Sequence, residues 1–249
     1  MSSKSLLAVS RYEEKDLRWI DDLQLGPTWE VVIVQKTDPD VVPPEFLPPE
    51  RTPYRIDNVL NSGREASTIP YIFFKYVNQA SAPPPRIAFL QGSPKEHWES
   101  VEATRALLHD PEYVGALMRH YARDDVPPDD LLGTDGEKYC PFTLLPKAYK
   151  DLGAENVARG LRRYLGDVQG GADLVMALRE RLGLPSGRRK VGGSLSIAYG
   201  ASFVVGNEAF ARFTPVQWAS IQEFSMEDIE HEYFTPWILE RCWADFLLH

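Results

Sequence analysis

Cysteine is almost missing: only Cys140 and Cys242 occur in 249 residues. Two thiols build neither a disulfide framework nor a zinc site by themselves, so a reducing compartment is expected. Basic charge is also short, with 27 Lys and Arg against 36 Asp and Glu and a formal charge of -9. Surfaces that hold nucleic-acid phosphates are ordinarily basic, which argues against DNA or RNA as a partner. A few arginines can still make a private anion site, since charge is screened over about 8 Å at physiological salt. No window approaches the roughly 18 apolar residues of a spanning helix. The apolar stretch in MSSKSLLAVSRYEE is five residues, too short for a signal-peptide core. The expectation is a cytoplasmic chain without an integral membrane segment. Several chemistry-bearing patterns are missing too. There is no P-loop, no G-x-G-x-x-G and no G-x-S-x-G, and the kinase and serine-hydrolase readings lose their support. His97, His109, His120, His231 and His249 make no H-x-x-x-H or H-E-x-x-H pair.

What is present suits one large globular domain, residues 1–249, with 43% hydrophobic and 25% charged residues. SLLAV at residues 5–9 reads as a buried strand. KDLRWIDDL then brings Leu17, Ile20 and Leu23 to helical spacing, and after the Gly26-Pro27 stop WEVVIVQ reads as a second strand. That β-α-β unit predicts parallel strands joined by a right-handed crossover. The proline-rich stretch Asp38 to Pro53 cannot continue a central strand and reads as a surface loop. A helix is expected from near Gly63, with Pro70 tolerable only in its first turns or at a kink, followed by a third buried strand, IAFLQ. The middle third, about 98–185, reads as a helical insertion containing VEATRALL, PEYVGALMRHYA, ENVARGLRRYLG and ADLVMALRERLG, the last two closed by glycine. SLSIAYGASFVV reads as strand, and TPVQWASIQEF and YFTPWILERCWADFLL as helices. Ser225 with Asp228 matches a capping box and suggests a helix start.

In an open parallel sheet, ligands bind beyond the carboxyl ends of the strands. Three polar tips are expected there: SRYEE, QKTDPD and QGSPKEH. Arg11 has the planar fork to grip a phosphate or carboxylate, and Glu13 or Asp16 suits the hydroxyls of a ribose or sugar; capping of the following helix is the structural alternative for the acids. In NSGRE, Asn61 caps a helix and Gly63 permits close backbone approach. Arg64 places a cation at a helix N-terminus, which calls for a bound anion or for a carboxylate such as Glu65 or Glu13.

Five stretches, SRYEEKDLRWI, LNSGREASTIPYI, FLQGSPKEH, GASFVV and ERCWADF, resemble in that order the successive blocks of the DUF3431 family over nearly the whole chain. The layout of that family is in turn similar to GT-A glycosyltransferases of the family-2 kind. The resemblance implies a GT-A-like α/β fold: a Rossmann-like, mostly parallel open sheet flanked by helices. It implies transfer of a sugar from a nucleotide-sugar donor to the hydroxyl of a glycan or small acceptor. It places the donor against Ser10, Arg11, Tyr12 and Glu13, against Asn61, Gly63, Arg64 and Glu65, and against Gln91, Gly92 and Ser93. Where the resembled enzymes carry a D-x-D that holds Mn²⁺ or Mg²⁺, this chain has Gln91-Gly92-Ser93 without a carboxylate. Either Glu96 and His97 replace it as metal ligands, or Arg11 and Arg64 neutralise the diphosphate without metal. The general base is expected in the C-terminal half at Glu240, an acid between Trp237 and Trp243 on an apolar helix; an ion pair with Arg241 or a rim arginine is its structural alternative. Two other functions compete: a non-catalytic nucleotide- or sugar-binding protein that has lost the metal site, and a hydrolase of acidic substrates using Glu96 and His97.

Overall fold

The computed structural model describes residues 3–12, 14, 16–36, 53–59, 64–93, 100–117, 161–166, 171–186, 201–227 and 234–248, with the backbone alone for Arg64, Glu65 and a few other helical positions. Six strands make one sheet: β1 (Ser5–Arg11), β2 (Trp29–Gln35), β3 (Tyr54–Asn58), β4 (Arg86–Gln91), β5 (Gly115–Ala116) and β6 (Phe203–Gly206). Their spatial order is β3-β2-β1-β4-β6-β5. The first four run parallel, while β6 lies antiparallel to both β4 and β5. The architecture is a mixed, mostly parallel sheet flanked by helices, of the general Rossmann-like α/β kind.

Alternation along the strands explains why both faces are covered. Leu6, Ala8, Val32, Val34, Ile87, Phe89, Phe203 and Val205 project into one apolar core, and Leu7, Val9, Val31, Ile33, Ala88, Leu90 and Val204 into another. Successive side chains of a strand point to opposite faces. A strand apolar at every position therefore needs a layer on each side. The thinner layer holds α1 (Trp19–Asp22) and α3 (Val101–His109), with Leu17, Trp19, Ile20, Leu23 and Leu108 buried. On the thicker side lie α2 (Thr68–Ile72), α4 (Gly171–Arg181), α5 (Pro215–Met226) and α6 (Phe234–Leu247). Trp218 of α5 is fully buried there, stacked on Phe73 at 4.9 Å between ring centres.

The helix expected near Gly63 begins as a 3₁₀ turn, Arg64–Ser67, continues as α2 and widens into a π turn, Phe73–Asn78. Pro70 falls in the first turn of α2, where its missing N–H costs least. Gly166 at φ 76° and Gly183 at φ 63° end helical stretches in the left-handed conformation that favours glycine, as the sequence suggested.

Two expectations need correction, at PEYVGALMRHYA and at Ser225, and two features were not anticipated. Tyr54–Asn58 is a strand that no apolar run announced, because this edge strand is mostly half-buried or exposed. Within PEYVGALMRHYA, Gly115–Ala116 pairs with β6 instead of forming helix, and the backbone N–H of Leu117 prolongs the pairing by donating to the carbonyl of Ser202 at 2.9 Å. The middle third is therefore not wholly helical; residues 118–160 lie outside the described residues. The strand expected in SLSIAYGASFVV is present at its described end as Phe203–Gly206, and what the sequence did not announce is that it runs against its neighbours. Ser225 starts no helix: it lies at the end of α5 with its hydroxyl bonded to the carbonyl of Gln222, while Thr214 and Gln217 form the capping box that opens this helix.

Candidate functional site at the switch point of the sheet

From β1 the chain steps outward to β2 and β3, then returns through the helical segment 64–78 to the other side of β1 as β4. Such a reversal leaves a crevice at the strand carboxyl ends between β1 and β4. Here those ends coincide. Ser10 is level with Gln91, Arg11 with Gln35, and Gln35 with Asn58. The next residues stay tied to the rim: the N–H of Gly92 donates to Ser10 O at 2.7 Å, that of Lys36 to Arg11 O at 2.9 Å, and that of Val59 to Gln35 O at 2.9 Å. The described first residues of the three polar tips thus lie along one edge, joined by the end of β3.

Arg11 lies beneath this edge. Its side chain is 0% exposed, and its guanidinium donates to the side-chain oxygen of Gln35 and, from Nε, to the carbonyl oxygen of Glu14 at 2.5 Å. Burial pushes its pKa down, and the charge of Glu14 opposes that shift. The fork expected to grip a ligand is thus engaged in shaping the first tip. Lys36 is equally buried and donates from Nζ to Ser67 Oγ at 2.6 Å. Ser10 Oγ and Thr68 Oγ1 form a buried hydroxyl pair at 2.9 Å. Together these bonds sew the start of the helical segment 64–78 onto the ends of β1 and β2.

At the front of the crevice, Tyr12 is 43% exposed and Ser93 is exposed. The N–H of Tyr12 donates to Glu14 Oε2 at 2.7 Å. Glu14 also lies against Gly92, where a Cβ would fall 2.7 Å from its carboxyl carbon and Oε2. Trp19 Nε1 donates to Gly92 O at 2.9 Å and fixes that residue from below. Arg64 and Glu65 open the 3₁₀ turn next to Ser67. Glu240 is partly buried on α6, a helix that packs against this turn. Glu13, Asn61, Gly63, Glu96 and His97 lie outside the described residues.

The sequence candidates omitted Glu14, Trp19, Gln35, Lys36, Ser67 and Thr68. Glu14, Gln35 and Lys36 stand inside tips recognised as polar, and Ser67 and Thr68 are the polar residues just before an apolar helix. Their position was the available signal. The described part of the β4 tip, Gln91-Gly92-Ser93, carries no carboxylate, and the two cationic side chains of Arg11 and Lys36 lie below the rim, which together disfavour a divalent cation among the described residues. Among the described residues there is no group of three or more His, Cys, Asp or Glu able to hold a metal ion. No helix among them is long and apolar enough to cross a membrane.

The fold and the rim define a Rossmann-like α/β protein with a polar crevice at its topological switch point. No protein-family model, curated protein or solved structure matches the chain.

Proposed function

We propose that this protein is a GT-A-like glycosyltransferase, related to the DUF3431 family, that moves a sugar from a nucleotide-sugar donor to an acceptor hydroxyl in the cytoplasm. The observation that carries this reading is the meeting of SRYEE and Gln91-Gly92-Ser93 at the crevice between β1 and β4, beside the helical segment that follows Asn61 and Gly63. Those are the blocks on which the resemblance rests. In this reading Tyr12, Gln91, Gly92 and Ser93 line the donor site, and the resemblance adds Glu13, which lies outside the described residues. The resemblance assigns Arg64 to the diphosphate, whose charge is also favoured by Arg11 and Lys36 under the rim. The acceptor oxygen attacks the anomeric carbon as the bond to the diphosphate oxygen breaks, and the acceptor proton passes to Glu240. The helix that carries Glu240 packs against the Arg64–Ser67 turn, which supports placing the base at this crevice. No step is assigned to a metal.

One observation favours a second reading: the β4 tip has no carboxylate in the place of the D-x-D. A chain that kept the crevice and lost the metal site would bind a nucleotide or sugar without turnover. Incubating the protein with a panel of nucleotide sugars separates the two. Transfer or donor hydrolysis supports the enzyme, whereas saturable binding without product supports the binding protein. Glu240→Gln should abolish turnover and spare donor binding; an active Gln variant would exclude Glu240 as the base.

A further inference from the structure

Glu14 is held more firmly than an exposed loop acid. Its carbonyl oxygen accepts from Arg11 Nε at 2.5 Å, and its Oε2 accepts from the N–H of Tyr12 at 2.7 Å. The side chain occupies space that exists because residue 92 has no Cβ, and Gly92 itself is pinned on both sides, by its N–H to Ser10 O and by its carbonyl to Trp19 Nε1. Among the described residues no hydrogen bond falls on Oε1. The first tip thus carries one carboxylate with one oxygen anchored and the other without a hydrogen bond among the described residues, against Gly92 at the seam of β1 and β4 and two residues from the half-exposed Tyr12. An ionised carboxylate is an acceptor only, and a pair of adjacent hydroxyls offers two donors to it. A phosphate is repelled by it.

We infer that Glu14 is the hydroxyl-recognising residue of the crevice, its carboxylate accepting hydrogen bonds from a vicinal diol of the ligand, ribose or hexose. This rests on the nucleotide-sugar reading for its choice of ligand, and it gives Gly92 a purpose: clearance for that carboxylate. Arg11 and Trp19 are positioning residues, which act through Glu14 and Gly92.

Titration calorimetry of the full chain tests the inference with four nucleoside diphosphates, their 2′,3′-dideoxy analogues and the corresponding nucleotide hexoses. Glu14→Gln keeps the bond from Tyr12 but turns the second oxygen into a donor. It should weaken binding of a diol-bearing probe about tenfold or more, as expected when a hydrogen bond to a charged group is lost. A penalty present with the ribose form and absent with its dideoxy analogue assigns the ribose. A penalty that appears only when the hexose is attached assigns the hexose. In Gly92→Ala the new methyl displaces the flexible end of Glu14, so this variant should reproduce the loss with an unchanged melting temperature. Glu14→Ala combined with Gly92→Ala should bind no worse than Glu14→Ala alone. Equal binding by Glu14→Gln and the native chain, an equal penalty on dideoxynucleoside diphosphates, or no saturable binding of any diol probe to the native chain overturns the inference. Diol binding that depends on Glu14 in a chain that neither transfers nor hydrolyses sugar leaves it standing and removes the transferase reading.

Discussion

Asp57→Asn should loosen one wall of the crevice by an amount that depends on pH. Asp57 belongs to the edge strand β3 and is 10% exposed. Its carboxylate accepts from Lys75 Nζ at 2.8 Å and from the hydroxyl of Tyr76 at 2.5 Å, and Lys75 also donates to the hydroxyl of Tyr71 at 3.0 Å. Tyr71, Lys75 and Tyr76 stand on the helical segment whose beginning supplies Ser67 and Thr68 to the rim. The Asn variant keeps the shape and removes the charge. A charge-assisted bond contributes about 1.5–3 kcal/mol and a neutral one about 1 kcal/mol, so the Tyr76 contact should lose about 1 kcal/mol. Lys75 is 45% exposed, and solvent screening limits its share to about 0.5 kcal/mol. The total of about 1.5 kcal/mol lowers the melting temperature by roughly 3–6 °C in a chain of this size. Burial pushes the Asp57 carboxyl up, but the hydrogen bonds from Lys75, Tyr76 and Tyr71 and the charge of Lys75 outweigh it and hold the group below the usual carboxylate range. With the folded value depressed, the stabilisation is complete above the unfolded value of about 3.9 and is lost as pH falls through the folded value. Urea melts of the two chains near pH 7 should therefore differ by the full amount, and at about pH 2.5 by much less. No difference near neutrality, or one of the same size in acid, refutes the clamp as an ionic device.

Two other outcomes concern stability. Thr68→Val should cost about 1–2 kcal/mol by leaving the buried Ser10 hydroxyl without its 2.9 Å partner. The double variant with Ser10→Ala should cost less than the sum of the two single losses in denaturant melts, and strict additivity would show that the pair does not couple. Trp218→Ala should cost about 3–5 kcal/mol as a large cavity in the thicker layer, since the ring is fully buried, packed on Phe73, Phe210 and Phe213, and donates from Nε1 to Phe210 O at 3.0 Å. Trp243→Phe should cost less than half as much, because Trp243 Nε1 makes no hydrogen bond among the described residues. Equal losses for the two tryptophans would contradict that ranking.

Much of the scaffold could be read along the chain. The apolar runs at residues 5–9, 29–35 and 87–90 became three adjacent parallel strands, and their polar ends became one rim. Such strands are legible because both faces are buried, so nearly every residue is apolar and the first polar residue marks the edge. The strand at Tyr54–Asn58 was not legible, since an edge position leaves its side chains largely in solvent. Neither was the reversed direction of β6, because a strand of four apolar residues carries no mark of which way it runs.

By itself the sequence determined a two-faced sheet, the places where its strands end and the polar character of those ends; these follow from local pattern, which side-chain period and backbone sterics translate directly into structure. Only the tertiary structure decided which polar groups lie under the rim and which stand on it. Arg11 proved to lie under the rim and Glu14 to lie on Gly92, a residue far along the chain. The direction of an acid in a turn is not written in its composition. That direction is set by contacts across the sheet, through the bond from Arg11 and the clearance at Gly92, which no local pattern contains.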